Sequence, residues 1–408
     1  MSNTNSIFRL NGVVQHYAWG GKNFIPSLLS LSSDGEKPFA EYWLGAHENA
    51  SSKIVAENSE IALNQFIQRD AKQILGAAVY HQFGRLPYLL KVLDVKDMLS
   101  IQVHPSKASA EEGFERENLM GIPLNAAHRN YKDDNHKPEL MVALSPFWLL
   151  HGFKSKKKIL QLFKAVPELA FLQASFEQGS YAGLYQLIME MPQEAVNEKL
   201  QPLLDRIIPA YQNNEIGREE EHFWAARAAV TFNQPGRIDR GIFSIYIFNI
   251  VEMQEGKAIF QDAGIPHAYL EGQNMDILAN SDNVLRGGLT NKHIDMVELL
   301  KHIVFEETIP YIIDPVPSLN AGEFLYLSPA ADFQLSKIEL GQGESSFVPT
   351  SSGEVFFVYS GKAMFIAGTD LLEAPAGASI FAPAGIELKI KADPEGVIFR
   401  ASVPSSHT

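Results

Sequence analysis

Cysteine is absent from all 408 residues. That excludes disulfides, iron–sulfur clusters, thiolate zinc sites and cysteine nucleophiles, and it fits a cytoplasmic protein. Basic residues are in deficit, 34 against 48 acidic ones, for a net charge of −14. Such a chain suits neither nucleic acid nor anionic membrane surfaces, and neither is expected as a partner. A small anionic substrate stays admissible, because a pocket's local charge can oppose the global sign. Long hydrophobic runs are missing too. No apolar stretch approaches the roughly 20 residues of a membrane helix, and Met1 to Leu10 is too polar for a signal peptide. What is present is an ordinary globular composition, 46% hydrophobic and 20% charged, long enough for two or three domains.

Strand-like and helical patterns come in blocks. Phe8 to Ser52 is rich in glycine, aromatics and turn signals, and reads as short strands and loops. A helix is expected near Leu63 to Leu75, and the apolar run Pro87 to Val95 reads as a buried strand. Ser106 caps a helix that runs to about Arg116. From Ser155 to about Phe232, apolar residues recur at helical spacing, as in Ile159, Leu160, Phe163 and Val166. This block carries no chemical constellation and reads as scaffold. Strand character returns over Gly241 to Met253 and from Lys257 to Phe260. From Phe324 to Val403, short strands are separated by turns at Gly341-Gln342-Gly343, Ser352-Gly353, Gly361-Lys362 and Pro375-Ala376-Gly377, a pattern that predicts a sandwich or jelly roll. The chain is therefore expected to be mainly β with an inserted α-helical domain. The expected units are a β domain over 1–153 with 237–323, a helical insertion over 154–236, and a C-terminal β domain over 324–408 whose only histidine is His407.

The chemistry concentrates in three stretches. In Leu99-Ser100-Ile101-Gln102-Val103-His104-Pro105, a strand would put Ser100, Gln102 and His104 on one face and Ile101 and Val103 on the other. In Asn135-His136-Lys137-Pro138-Glu139, the proline favours extended backbone, so Lys137 and Glu139 share a face and His136 lies opposite. Pro266-His267 supplies a further imidazole at a strand end. Most of the twelve histidines must be ordinary core or surface residues. These two are singled out by their company. Gln102, His104, Glu139 and His267 form a candidate mixed nitrogen–oxygen metal shell. Without thiolates it suits zinc, manganese, iron(II) or cobalt, with zinc the leading candidate. Further on, Asp276 and Asp282 are candidate acid–base groups. Arg286 and Lys292 flank Gly287-Gly288. These glycines read either as a plain turn or as a place where backbone approaches a ligand, with the two cations reaching a phosphate or a developing oxyanion.

Taken with Tyr17-Ala18-Trp19-Gly20, Ala40-Glu41-Tyr42-Trp43-Leu44-Gly45, Pro266-His267-Ala268-Tyr269-Leu270 and Ser281-Asp282-Asn283-Val284-Leu285-Arg286, these motifs give a chain that resembles the type I mannose-6-phosphate isomerases (phosphomannose isomerases), above all the bacterial ones, over nearly its whole length. The resemblance implies a zinc-dependent cupin fold with an inserted helical domain and a second, metal-free cupin-like domain. It implies zinc ligands at Gln102, His104, Glu139 and His267, an active-site arginine at Arg286, and phosphate-side residues at Ser100, Lys137 and Lys292. Asp282 is separately expected to bind substrate. The reaction implied is exchange of mannose 6-phosphate and fructose 6-phosphate through a cis-enediol. Asp276, Asp282, Lys137 and a zinc-bound water all stay open as the proton carrier. Two departures stand out. Asp276 occupies a position where the family usually has glutamate, and Thr290-Asn291-Lys292 stands for the family's Thr-Pro-Lys, a change expected to loosen the loop that presents Lys292. An iron(II)-dependent cupin oxygenase and a non-catalytic sugar-binding cupin are the rival readings.

Overall fold

The structure, a computed structural model, describes residues 6–56 and 59–404. Two large antiparallel sheets and a helical block make up the described fold, which is mainly β with an inserted helical region, as expected. The first sheet runs in the order Phe248–Met253, Phe147–Phe153, His267–Ala279, Tyr88–Val95, Glu41–Gly45 and Val13–Gln15. The short strands Gln102–Val103, Leu285–Arg286, Glu139–Ala143 and Ala258–Gln261 attach to it. Tyr88–Val95 is buried along its whole length, which is why its sequence is nearly continuously apolar.

One strand organises the site. His267–Ala279 begins against Gln102 and His151, then bends near Gly272, where φ is +129° and a side chain would strike Phe147. Beyond the bend it pairs with Tyr88–Val95 on one side and Glu139–Ala143 on the other. His267, at the start of this strand, and Asp276, beyond the bend, thereby reach one cavity.

The second sheet contains every described strand from Val316 onward, and Phe8–Asn11, Lys53–Ala56 and Ser59–Ala62 also belong to it. Phe8–Asn11 lies between Ser379–Ala382 and Lys53–Ala56. A shared core that includes Leu90, Val142, Ile277, Phe357 and Phe399 joins the two sheets.

The helices Lys156–Ala165, Gln173–Glu190, Gln193–Gln212 and Glu221–Phe232 form the block. Its core continues into the site through Ile101, Val103, Ala268, Leu285 and Leu289. Near residue 63 the expected helix is interrupted at Asp70, which ends Leu63–Arg69 and caps Ala71–Leu75 through the Gln73 N–H. Ser106 caps Lys107–Leu119 in the expected manner, accepting from the Ser109 N–H.

Two local expectations fail. Gly241–Ile247 is a helix, and the strand starts only at Phe248. All seven of its residues are buried, so no polar stripe marks the helical period, and an apolar β-branched and aromatic run then reads as strand. Gly361-Lys362 is not a turn. Glu354–Ala367 runs straight through it with a register shift, and Gly361 sits at φ +74° because its backbone lies against Glu395 and Gly396 of the adjoining strand.

Candidate metal centre

His104, Glu139 and His267 converge from three strand ends. All are buried, and one ligand atom from each lies within 4.8 Å of the others. Glu139 stands 3.5 Å from His104 Nε2 through one oxygen and 3.6 Å from His267 Nε2 through the other. Each ring is oriented from behind. His104 Nδ1–H donates to the Asn283 carbonyl at 2.8 Å, and His267 Nδ1–H to the Ile265 carbonyl at 2.9 Å. Both rings therefore turn Nε2 inward, the arrangement of metal-binding imidazoles. Burial, then the Lys137 charge, pulls the His104 pKa down to about 4, so this ring is neutral at ordinary pH. Its Nε2 is buried with no hydrogen-bond partner. A buried, neutral, unsatisfied lone pair aimed at a carboxylate and a second imidazole fits a divalent cation. Gln102 pairs opposite His267 in the ladder and lines the same cavity, of about 50 Å³, with Glu139 and Asp276.

The loops behind these ligands interlock. Asn283 accepts the Lys132 N–H at 2.7 Å and donates to the Asp133 and Asn135 carbonyls. Asp133 accepts from the Asp282 N–H and the Ser281 hydroxyl. The loops around Asp133 and around Asn283 are thus each other's clamp, and through the Asn283 carbonyl they fix the His104 tautomer. His136 points away, 2.9 Å from Asp332 in the C-terminal segment, opposite the Lys137 and Glu139 face.

Lys137 is buried with Nζ 3.0 Å from Glu139. Burial resists ionisation of Glu139, yet Lys137 and the histidines hold its carboxyl well below the usual range. Asp276 is buried in the cavity wall and accepts from the Tyr269 hydroxyl at 3.2 Å. Burial, with Glu139 adding to it, raises the Asp276 pKa to about 8 against the opposing charges of Lys91 and Lys137.

Sequence reasoning missed Lys91 and Glu41. Lys91 pairs opposite Asp276 in the sheet, lies 3.3 Å from Glu41 and sits over the Trp43 ring. Burial works against its charge, but Glu41, Asp276 and Glu139 raise its pKa and keep it protonated. The available signal was a lysine in the middle of a fully buried strand whose only other charged residue is Asp94.

The remaining expected residues lie around the rim. Asp282 is exposed and meets His47 at 3.1 Å, at the edge of a cleft of about 860 Å³ that also takes in Arg85, Lys132 and Asp133. Ser100 is half-buried, two residues before Gln102. Arg286 pairs opposite Gln102 and is half-buried. It makes no ion pair among the described residues, and burial alone lowers its pKa. Lys292 is exposed, and desolvation followed by the Arg286 charge lowers its pKa. The glycines between them do not open the backbone to a ligand. A Cβ on Gly287 would strike the Tyr185 hydroxyl, and one on Gly288 would fall 2.5 Å from Gly241 Cα, so both serve close packing on the helical block. Asn291, in the place of the family's proline, accepts from Gln234 at 3.0 Å and so ties the loop down at that point.

Comparison with known proteins agrees with this geometry. The family profile "Phosphomannose isomerase type I, catalytic domain" matches residues 7–156. A mannose-6-phosphate isomerase of Salmonella typhimurium is 37% identical over 91% of this chain and 94% of its own length. The human mannose-6-phosphate isomerase is 31% identical over 97% and 98%. A crystal structure of the Salmonella typhimurium enzyme bound to fructose 6-phosphate and zinc superposes with a TM-score of 0.87 at 33% identity, covering 98% of this chain and 100% of that one. The expected cupin architecture with its helical insertion is shared with these structures.

Proposed function

The chain belongs to the type I phosphomannose isomerases, and we propose that it interconverts mannose 6-phosphate and fructose 6-phosphate at a zinc site made by Gln102, His104, Glu139 and His267. The single observation that carries the metal reading is the buried, unpartnered Nε2 of His104 facing Glu139. The cation, when bound, supplies Lewis acidity toward the sugar oxygens on which charge develops. The protein's own residues do the rest. Arg286, half-buried and without a counter-ion among the described residues, is suited to an oxyanion next to Gln102. Ser100 and Lys292 are assigned to the phosphate, with Asp282 at the rim. Asp276 is assigned as carrier of the proton that moves between C1 and C2, on the strength of its place in the cavity wall, and Lys137 holds Glu139 ionised beside it.

The partner is a small sugar phosphate, and nucleic acid is not proposed as one. No described helix is long and apolar enough to cross a membrane, and a cytoplasmic site of action is proposed on composition. Nothing in the comparisons favours an oxygenase or a non-catalytic sugar-binding protein. The test is a coupled isomerase assay beside elemental analysis. About one zinc per chain and activity lost to a chelator are expected. Full activity in protein carrying no transition metal would overturn the reading.

A further inference from the structure

The loop that carries Arg286 and Lys292 is held in an uncommon backbone conformation. Gly288 has φ +132° and Leu289 φ +52°, the latter in the left-handed region that non-glycine residues avoid. One side of this loop is latched to the metal-site strand. The Gly287 N–H donates to the Ile101 carbonyl at 2.9 Å, and the Ile101 N–H to the Gly288 carbonyl at 3.0 Å. On the other side a single carboxylate receives it. Asp239 Oδ1 accepts the Leu289 N–H at 2.8 Å and Oδ2 accepts the Thr290 N–H at 3.1 Å. The same Oδ1 also accepts the Gly241 N–H at 2.7 Å, at the start of the buried helix Gly241–Ile247. Backbones meet there without room for a side chain, since a Cβ on Gly241 would lie 2.6 Å from the Leu289 nitrogen. Asp239 itself is fixed through its own N–H, which donates to the Asn233 side chain at 2.9 Å.

We propose that Asp239 is a positioning residue for the reaction. It touches no substrate. It sets the place of Lys292 by anchoring the strained turn that follows Arg286, and through its bond to Asn233, which ends the last helix of the block, it makes the inserted helical block a working part of anion recognition instead of plain scaffold. Three amides on one carboxylate oxygen pair are charge-assisted bonds, stronger than neutral ones. A turn at φ +52° needs such outside support, because its own backbone preference opposes it. The inference rests on the isomerase reading for its kinetic consequence, and not for its structural one.

The experiment uses full-length, zinc-loaded protein with Asp239→Ala and the isosteric Asp239→Asn, which keeps one acceptor. Amide hydrogen exchange is read without substrate. Leu289 and Thr290 should exchange about tenfold faster or more in Asp239→Ala, Asp239→Asn should fall between, and protection across Gln193–Gln212 should stay as in wild type. Metal content should not change. The KM for mannose 6-phosphate should rise about tenfold, with a smaller loss in kcat. In a Lys292→Ala background Asp239→Ala should add less than about twofold, because its effect is routed through that loop. Unchanged exchange at the two amides overturns the proposal, as does an equal kinetic loss in both backgrounds. A wild-type protein without isomerase activity would fail the functional reading, while the exchange result would still decide this one.

Discussion

Arg286 and Asp276 make separable demands on the site. Arg286 is not a metal ligand and has no carboxylate to neutralise it among the described residues. Arg286→Ala should therefore leave zinc content intact and lower turnover about 100-fold or more, the usual cost of losing a charge that acts on the transition state. Steady-state kinetics on metal-quantified protein check this. Asp276 lies between Tyr269 and Lys91 in the cavity wall. Asp276→Asn should nearly abolish exchange of the C2 proton with solvent, measured by deuterium uptake, while zinc and phosphate binding persist. Asp276→Glu should keep much of the activity, because it restores the residue the family usually carries. Turnover of Asp276→Asn within about tenfold of wild type would move the proton to another group. His104, Glu139 and His267 were legible in the sequence because each sits beside a proline or at a strand end in a short, specific motif. Lys91, Glu41 and His47 were not. Strand register across a long separation sets Lys91 opposite Asp276, and a contact between distant loops sets His47 against Asp282, and no local pattern encodes either.

Elements hold these residues through their ends. The short helix Met296–His302 begins on Asp295, whose side chain accepts the Glu298 N–H. Glu298 then collects Arg116 at 2.7 Å, the Tyr131 hydroxyl at 2.6 Å and Lys301 at 2.8 Å. Burial opposes its charge, but the bonds from Lys301, Tyr131, Arg116 and His302 take its pKa down to about 2. A carboxyl whose folded pKa is depressed stabilises the fold above its unfolded value, near 4.3, and loses that contribution as pH falls toward 2. Glu298→Gln should thus cost stability at pH 7 and cost progressively less between about pH 4 and 2, as read by denaturant titration across that range. The insertion helices Lys156–Ala165 and Gln193–Gln212 were readable from apolar spacing alone because each keeps an exposed polar face. Gly241–Ile247 was misread because it has none.

Across the whole molecule, the two sheets share one core, and that part was the least visible in sequence. The strands Phe8–Asn11, Lys53–Ala56 and Ser59–Ala62 belong with the C-terminal sheet, although nothing in their composition sets them apart from the site-bearing segment. Tyr88, from the middle of the first sheet, donates toward the Gly353 and Ala401 carbonyls of the second, each at 2.9 Å. Next to that contact Arg400 binds Glu354 through two nitrogens, at 2.7 and 3.0 Å, and Glu323 at 2.9 Å. Arg400→Met would leave two buried carboxylates without their cation, so it should lower unfolding free energy by about 3–5 kcal/mol. Urea titration measures this, and adding Glu354→Gln and Glu323→Gln should recover part of the loss.

The strand Phe8–Asn11 has a partner from early in the chain, Lys53–Ala56, and another from near its end, Ser379–Ala382. During synthesis at about 5–20 residues per second, one edge of that strand waits on the order of tens of seconds for its neighbour to emerge from the ribosome. The paired strands Phe8–Asn11 and Lys53–Ala56 must spend that interval with a bare row of amides and an apolar face uncovered, as prone to self-association as any exposed edge. Closure of the second sheet is therefore a late event in making each molecule, and a chaperone that shields the first sixty residues should raise yield more than one that acts on the helical insertion.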